Sequence, residues 1–183
     1  ERRGAPRPVG TAVVRGFGRT IAMTGAPRRA LAGRPGQEGE GSQAGEAAPS
    51  GQAGQAGQAG RAVHTARVHA GHHAGYYPGA ETMHLVLHFG TDGQILGAQG
   101  VGRAGIDKRI DIIATAARGG LRADDLVDLD LCYAPPFGSA KDPVMMLGMI
   151  ADNVLSGRLR QHDPARGSDP VGSQVTDVRN RDE

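Results

Sequence analysis

Tyr133-Ala134-Pro135-Pro136-Phe137-Gly138-Ser139-Ala140-Lys141-Asp142-Pro143 is the stretch on which the reading of this chain turns. Pro135 and Pro136 fix their own φ, and Pro136 also holds Pro135 extended. Asp142 followed by Pro143 reads as a helix N-cap and first helical residue, an abrupt helix entry. Tyr133, Phe137 and Lys141 therefore ride on a stiff segment. Stiff loops with polar tips suit a site that must aim groups at a ligand. The same loop also serves if it only packs a sheet against a helix, and the residues alone leave both readings open.

Downstream of this loop, Val144, Leu147, Ala151, Val154 and Leu155 fall at helical spacing and predict an amphipathic helix ending near Gly157. Upstream, residues 126–132 read as a short helical turn leading into a strand. Before them, Ile106, Ile110, Ile113, Ala114 and Ala117 mark a helix that Gly119-Gly120 stops. Asp107, Lys108, Arg109 and Asp111 are expected on its polar face. Met83, Leu85, Leu87 and Phe89 share one face of a strand, with His84, Val86 and His88 on the other. Asp92-Gly93 is a hairpin signal, and residues 95–101 are the return strand. Residues 64–69 alternate loosely. Apolar runs at 12–14 and 21–23, around Gly16 and Gly18, predict one bent strand or a hairpin, with a short helix after Gly25. The fold class that follows is α+β: a mainly antiparallel sheet with flanking helices.

The chain of 183 residues allows one domain with tails. Residues 1–8 read as a linker, 9–158 as the folded domain and 159–183 as a disordered tail. Within the domain, residues 35–61 are low complexity, with Gly-Gln-Ala repeated from Gly51 to Ala59. Such a segment buries no apolar surface to offset its ordering entropy, so it reads as a disordered insertion.

Composition narrows the function classes. The net charge is +2. Arginines crowd the first 34 positions, but Phe17 is the single aromatic among them, which argues against nucleic-acid binding. The single cysteine, Cys132, leaves no partner in the chain for a disulfide or a Cys-based zinc site. No stretch approaches the roughly 20 apolar residues of a membrane span. A soluble cytoplasmic protein is the expectation.

Six of the seven histidines lie between His64 and His88. His84 and His88 share a strand face, which would suit a metal, but only Glu81 lies nearby as a carboxylate. Solvated or locally hydrogen-bonded histidines account for the cluster better, and no metal ligand is assigned. Neither Gly16-Phe17-Gly18 nor residues 97–105 has the spacing of a phosphate loop. No nucleophile with a plausible base can be assembled. Tyr76-Tyr77 before Pro78-Gly79 forms a second unusual loop. If extended, its tyrosines face opposite ways, one packing inward and one presenting its hydroxyl.

Together these pieces resemble the C-terminal dimerisation domain of the FAD-dependent pyridine nucleotide-disulfide oxidoreductases. Within that family they look most like the branch of coenzyme A-disulfide reductase and its NADH oxidase and peroxidase relatives. The matching segments are residues 10–25, 69–79, Ile95-Leu96-Gly97-Ala98-Gln99, Asp107-Lys108-Arg109-Ile110-Asp111 and 133–143, in the family's order. The resemblance covers about residues 9–34 and 62–158, and the Tyr-Ala-Pro-Pro-Phe loop with Ala-Lys-Asp-Pro is its most specific part.

The resemblance implies a homodimer, or a pairing with a flavin-domain polypeptide, in which this domain completes the partner's active site. Tyr133 matches the tyrosine that reaches the partner's flavin and redox-active cysteine, with Pro136 and Phe137 near that flavin. Tyr76 matches a tyrosine that hydrogen-bonds the disulfide substrate region. Lys141 matches a lysine that meets coenzyme A phosphates. The family's FAD and NAD(P)H domains and catalytic cysteine have no counterpart in these residues. The chain is therefore expected to bind no cofactor by itself and not to be active alone, whether as a truncated gene product or as half of a split enzyme. The alternatives are a non-catalytic dimerisation module and a histidine-rich metal-binding protein.

Overall fold

The computed structural model describes residues 10–27 and 63–159. The expected linker, the Gly-Gln-Ala insertion, the helix after Gly25 from residue 28 onward and the tail from residue 160 lie outside the described residues. Near the start, β1 (Ala12–Gly16) and β2 (Arg19–Gly25) form a hairpin. Its two-residue turn, Phe17-Gly18, has positive φ at both positions, 52° and 70°. Such a turn matches the right-handed twist of the strands it joins. It leaves the Phe17 ring fully exposed at the tip.

The remaining strands are β3 (Val63–Gly71), β4 (Thr82–Gly90) and β5 (Ile95–Gly102). The sheet order is β1-β2-β5-β4-β3, with every neighbouring pair antiparallel. The β4–β5 turn carries the Asp92-Gly93 signal. Gly90 N–H donates to Gln94 O at 3.0 Å, and the Asp92 carboxylate accepts from Gln94 N–H at 3.1 Å.

Strand alternation decides which side of the sheet is covered. One row runs Val68, Leu85, Gly100, Ala22, and the next runs Ala66, Leu87, Ala98, Thr24. All of these are buried. The opposite face carries the row His69, His84, Val101, Ile21, which is half-buried or exposed.

Two helices lie on the buried face. The first, α1 (Ile106–Gly119), contacts β2 and β5, and the second, α2 (Pro143–Leu155), contacts β3. α1 ends as its sequence predicts: Gly120 adopts φ 83°, and Leu121 N–H closes on Ala116 O at 3.0 Å. The expected polar face of α1 needs one correction. Arg109 is only 1% exposed and sits among Ile106, Ile110 and Ile113 on the buried side.

A 3-10 helix (Asp124–Asp128) precedes the Pro-Pro loop. Here a second correction applies, because among the described residues no strand follows it. Asp128-Leu129-Asp130-Leu131 alternates as a strand does, yet among the described residues this stretch pairs with no strand. Its leucines are half-buried, and the chain runs past the sheet into two prolines that have no N–H to donate. The 3-10 helix serves α2 instead. A Cβ at Gly148 of α2 would overlap the Val127 amide nitrogen and stand 2.7 Å from the Leu126 carbonyl carbon. Only a glycine lets these two backbones approach so closely.

Candidate functional site

Two loops meet at one end of the sheet. The β3–β4 loop spans residues 72–81, and the second runs from residue 129 to the N-cap of α2. In the first, Tyr77 N–H donates to Ala74 O at 3.0 Å, so the tyrosine pair sits in a turn rather than on an extended chain. The expectation that one tyrosine packs inward is only partly met. Tyr77 lies edge-on to the buried His73 ring, with centroids 5.6 Å apart, yet it stays 42% exposed. Tyr76 is 77% exposed.

In the second loop, Ala134 O accepts from Phe137 N–H at 2.9 Å and from Gly138 N–H at 3.1 Å. The two prolines are thereby folded into a tight turn that presents Pro136 and Phe137 to solvent. Tyr133 stands at its start, half exposed.

The structure brings the two candidate tyrosines together. The Tyr76 and Tyr133 hydroxyls are 3.1 Å apart, although 57 positions separate them in the chain. This bond, and lesser burial, pushes the Tyr76 phenol above its ordinary pKa. A phenol that donates to its neighbour loses that bond on ionising. The loops are joined a second time where Ala74 N–H donates to Gly138 O at 3.0 Å.

Beneath both loops lies Arg109. Its guanidinium donates to Asp142 Oδ2 at 2.8 Å, to His72 O at 2.8 Å and to Gly105 O at 3.3 Å. Asp142 is itself 4% exposed and caps α2, accepting from Val144 N–H at 3.0 Å. One buried fork therefore holds the start of the Tyr76 loop, the start of α1 and the start of α2. Lys141 precedes that cap and is exposed.

His72 closes the base of the first loop. Its Nδ1 accepts from Glu81 N–H at 3.0 Å. The Glu81 carbonyl lies farther from the ring, at 3.3 Å, and already accepts from His72 N–H at 3.0 Å. Burial, then the neighbouring His73, hold the His72 imidazole below its ordinary value. A histidine that is harder to protonate when folded stabilises the fold above its unfolded pKa of about 6.5. That contribution is lost as pH falls through 6.5 toward the lower folded value. We expect His72→Asn, which keeps an acceptor but cannot titrate, to flatten part of the acid-side fall in thermal stability. Melting curves at stepped pH check this, and parallel curves for the two proteins would count against it.

The histidines on the sheet face away from the helices are arranged differently from a metal shell. His84 and His88 share a face, as the alternation predicts, but each turns to its own partner on β3. His84 Nδ1 meets His69 Nδ1, and His88 Nδ1 bonds the Thr65 hydroxyl at 3.1 Å. No group of three or more ligating side chains forms among the described residues. No helix among them is long and apolar enough to cross a membrane. A groove of about 240 Å³ between β1 and α1, lined by Val13, Asp107 and Asp111 among others, contains neither tyrosine.

Sequence reasoning anticipated the two tyrosine loops and the Asp142 cap but missed Arg109 and its link to both loops. The signal was present. Arg109 lies three residues after Ile106 and four before Ile113, inside the apolar stripe.

Residues 50–143 match the family described as "Pyridine nucleotide-disulphide oxidoreductase, dimerisation domain". The chain is 43% identical over 85 residues to a coenzyme A disulfide reductase of Staphylococcus haemolyticus, covering 46% of this chain and 19% of the relative. Its fold matches the crystal structure of reduced CoADR-RHD from Bacillus anthracis, with TM-score 0.68 and 37% identity over 84% of this chain and 23% of that one. It also matches an NAD-dependent persulfide reductase from A. fulgidus, with TM-score 0.68 and 29% identity over 91% of this chain and 26% of that one. The chain thus spans about a fifth to a quarter of the length of these proteins. With a five-stranded antiparallel sheet, flanking helices and this family match over half its length, the chain belongs to the pyridine nucleotide-disulfide oxidoreductase dimerisation-domain family.

Proposed function

We propose that this domain completes the active site of a flavin-dependent, NAD(P)H-driven disulfide reductase, with a coenzyme A-type disulfide as its substrate. The observation that carries the reading is the exposed Tyr76–Tyr133 hydroxyl pair, 3.1 Å apart on two loops tied to one buried framework. A phenol pair held at a surface can donate to a sulfur presented from outside. Donation to a nascent thiolate stabilises the charge that develops as a disulfide opens. Tyr133 is the donor nearest the reacting sulfur in this reading, and Tyr76 orients it while contacting the disulfide. FAD and NAD(P)H, bound by other domains, supply the reducing electrons.

The exposed rings suit a flavin approached from one side. Phe137 and Pro136 present an apolar edge beside Tyr133 on a turn that cannot flex freely. Lys141 stands just before the N-terminus of a 13-residue helix, where an exposed point charge beside the positive end of the helix favours phosphate. It is the group we assign to the phosphates of coenzyme A. The exposed Val13, Val14, Phe17 and Ile21 of the β1–β2 hairpin favour association with a second subunit or a flavin-bearing polypeptide.

The test is Tyr133→Phe in the assembled flavoenzyme. We expect disulfide reduction to slow about tenfold, the size of one lost hydrogen bond of about 1.4 kcal/mol, with flavin reduction unchanged. Equal turnover would reject the role of Tyr133. It would leave a domain that only dimerises.

A further inference from the structure

We infer that Arg109 is a positioning residue: its buried guanidinium sets the distance between the Tyr76 and Tyr133 hydroxyls by holding both loops to one fork. The inference deepens the proposed function and rests on it for its catalytic meaning, but its physical content stands on the geometry. Arg109 comes from α1, outside both loops, and is 1% exposed. One terminal nitrogen donates to His72 O at 2.8 Å, four residues before Tyr76. The same nitrogen donates to Asp142 Oδ2 at 2.8 Å, and Nε reaches Asp142 Oδ1 at 3.4 Å. Asp142 ends the loop that begins at Tyr133. The other terminal nitrogen bonds Gly105 O at 3.3 Å, which fixes the fork on its own helix.

The planarity of the group matters here. A guanidinium presents several N–H donors in a fixed plane, so what it holds is held at fixed mutual angles. A lysine carries the same charge on a flexible stem and offers no such fork. Gly105 adds a steric reason for the placement, since a Cβ there would collide with the Arg109 terminal nitrogen. The positive φ of 68° at Gly105 likewise favours glycine.

The chain provides an internal reporter. It has no tryptophan and three tyrosines, Tyr76, Tyr77 and Tyr133, all in the two loops. Tyrosine absorbance therefore reads the site and nothing else. The experiment is an alkaline titration at 295 nm of the full chain in a Tyr77→Phe background, with and without Arg109→Lys. Far-ultraviolet circular dichroism confirms the fold in each case.

Arg109 intact should show a Tyr76 midpoint above that of a free phenol, because the bond to Tyr133 holds it up. Arg109→Lys should bring that midpoint down to the value seen in a Tyr133→Phe control, with the dichroism unchanged. Asp142→Asn provides the second variant, since asparagine retains helix capping while removing the ion pair. It should shift the midpoint in the same direction and by less.

An unchanged tyrosine titration in folded Arg109→Lys would overturn the inference. So would unfolding of both variants, which would make Arg109 a fold determinant and not a positioning group. No turnover enters the readout. Failure here therefore leaves the catalytic reading of Tyr133 standing, and failure of the Tyr133→Phe turnover test leaves the positioning of the pair standing.

Discussion

Arg109→Met is expected to destabilise the domain by about 3–5 kcal/mol, the cost of breaking a buried ion pair from one side. The large effect comes less from the lost attraction than from what remains. Asp142 is 4% exposed, and its carboxylate would keep only the Val144 N–H as a partner. The carbonyl of His72 would also lose a charged donor at 2.8 Å. A buried group left unpaired costs its full desolvation. The double variant Arg109→Met, Asp142→Asn should therefore recover part of the loss, because no uncompensated charge stays buried. Urea unfolding of the three proteins measures this. A loss under about 1 kcal/mol for Arg109→Met would mean that the pair is open to solvent, as exposed ion pairs of that worth are.

The second large effect is expected at Gly148. In a free helix, glycine to alanine gains about 1 kcal/mol. At this position the sign should reverse. The added methyl would overlap Val127 N and crowd the Leu126 carbonyl carbon at 2.7 Å, and both are backbone atoms that cannot turn aside. The 3-10 helix or α2 must shift, and overpacking of this kind costs up to about 3 kcal/mol. We expect a net loss near 2 kcal/mol, or a fall in melting temperature of roughly 5 °C. Gly119→Ala is the control. Its methyl would meet only Leu121 Cδ1 at 3.4 Å, an ordinary contact, so stability should hold or rise. Equal losses in the two variants would mean that α2 does not press on the 3-10 helix in solution.

Periodicity was a sound guide wherever one face of an element is buried. Met83, Leu85, Leu87 and Phe89 alternate because every second residue of β4 faces the helices, and all four are buried. Ile106, Ile110 and Ile113 recur on α1 for the same reason at the helical period. The Asp142-Pro143 cap was legible because capping is local: a side-chain oxygen meets an N–H two residues on. The strand expected to lead out of residues 126–132 shows the limit. Asp128-Leu129-Asp130-Leu131 carries the strand pattern, but a strand also needs a neighbour, and pairing is not written in the segment itself.

The sequence by itself determined the fold class, the two helices, the order of the elements and the two loops that carry Tyr76 and Tyr133. These follow from local dihedral preferences and from the period of apolar residues, which act over a few positions. Only the tertiary structure decided that the two hydroxyls meet at 3.1 Å and that Arg109 turns inward to hold both loops. Such contacts join residues 33 to 57 positions apart. They depend on where the sheet and helices place the loops in space, and a charged residue on an apolar stripe does not reveal its partner until the distant carboxylate has been folded against it.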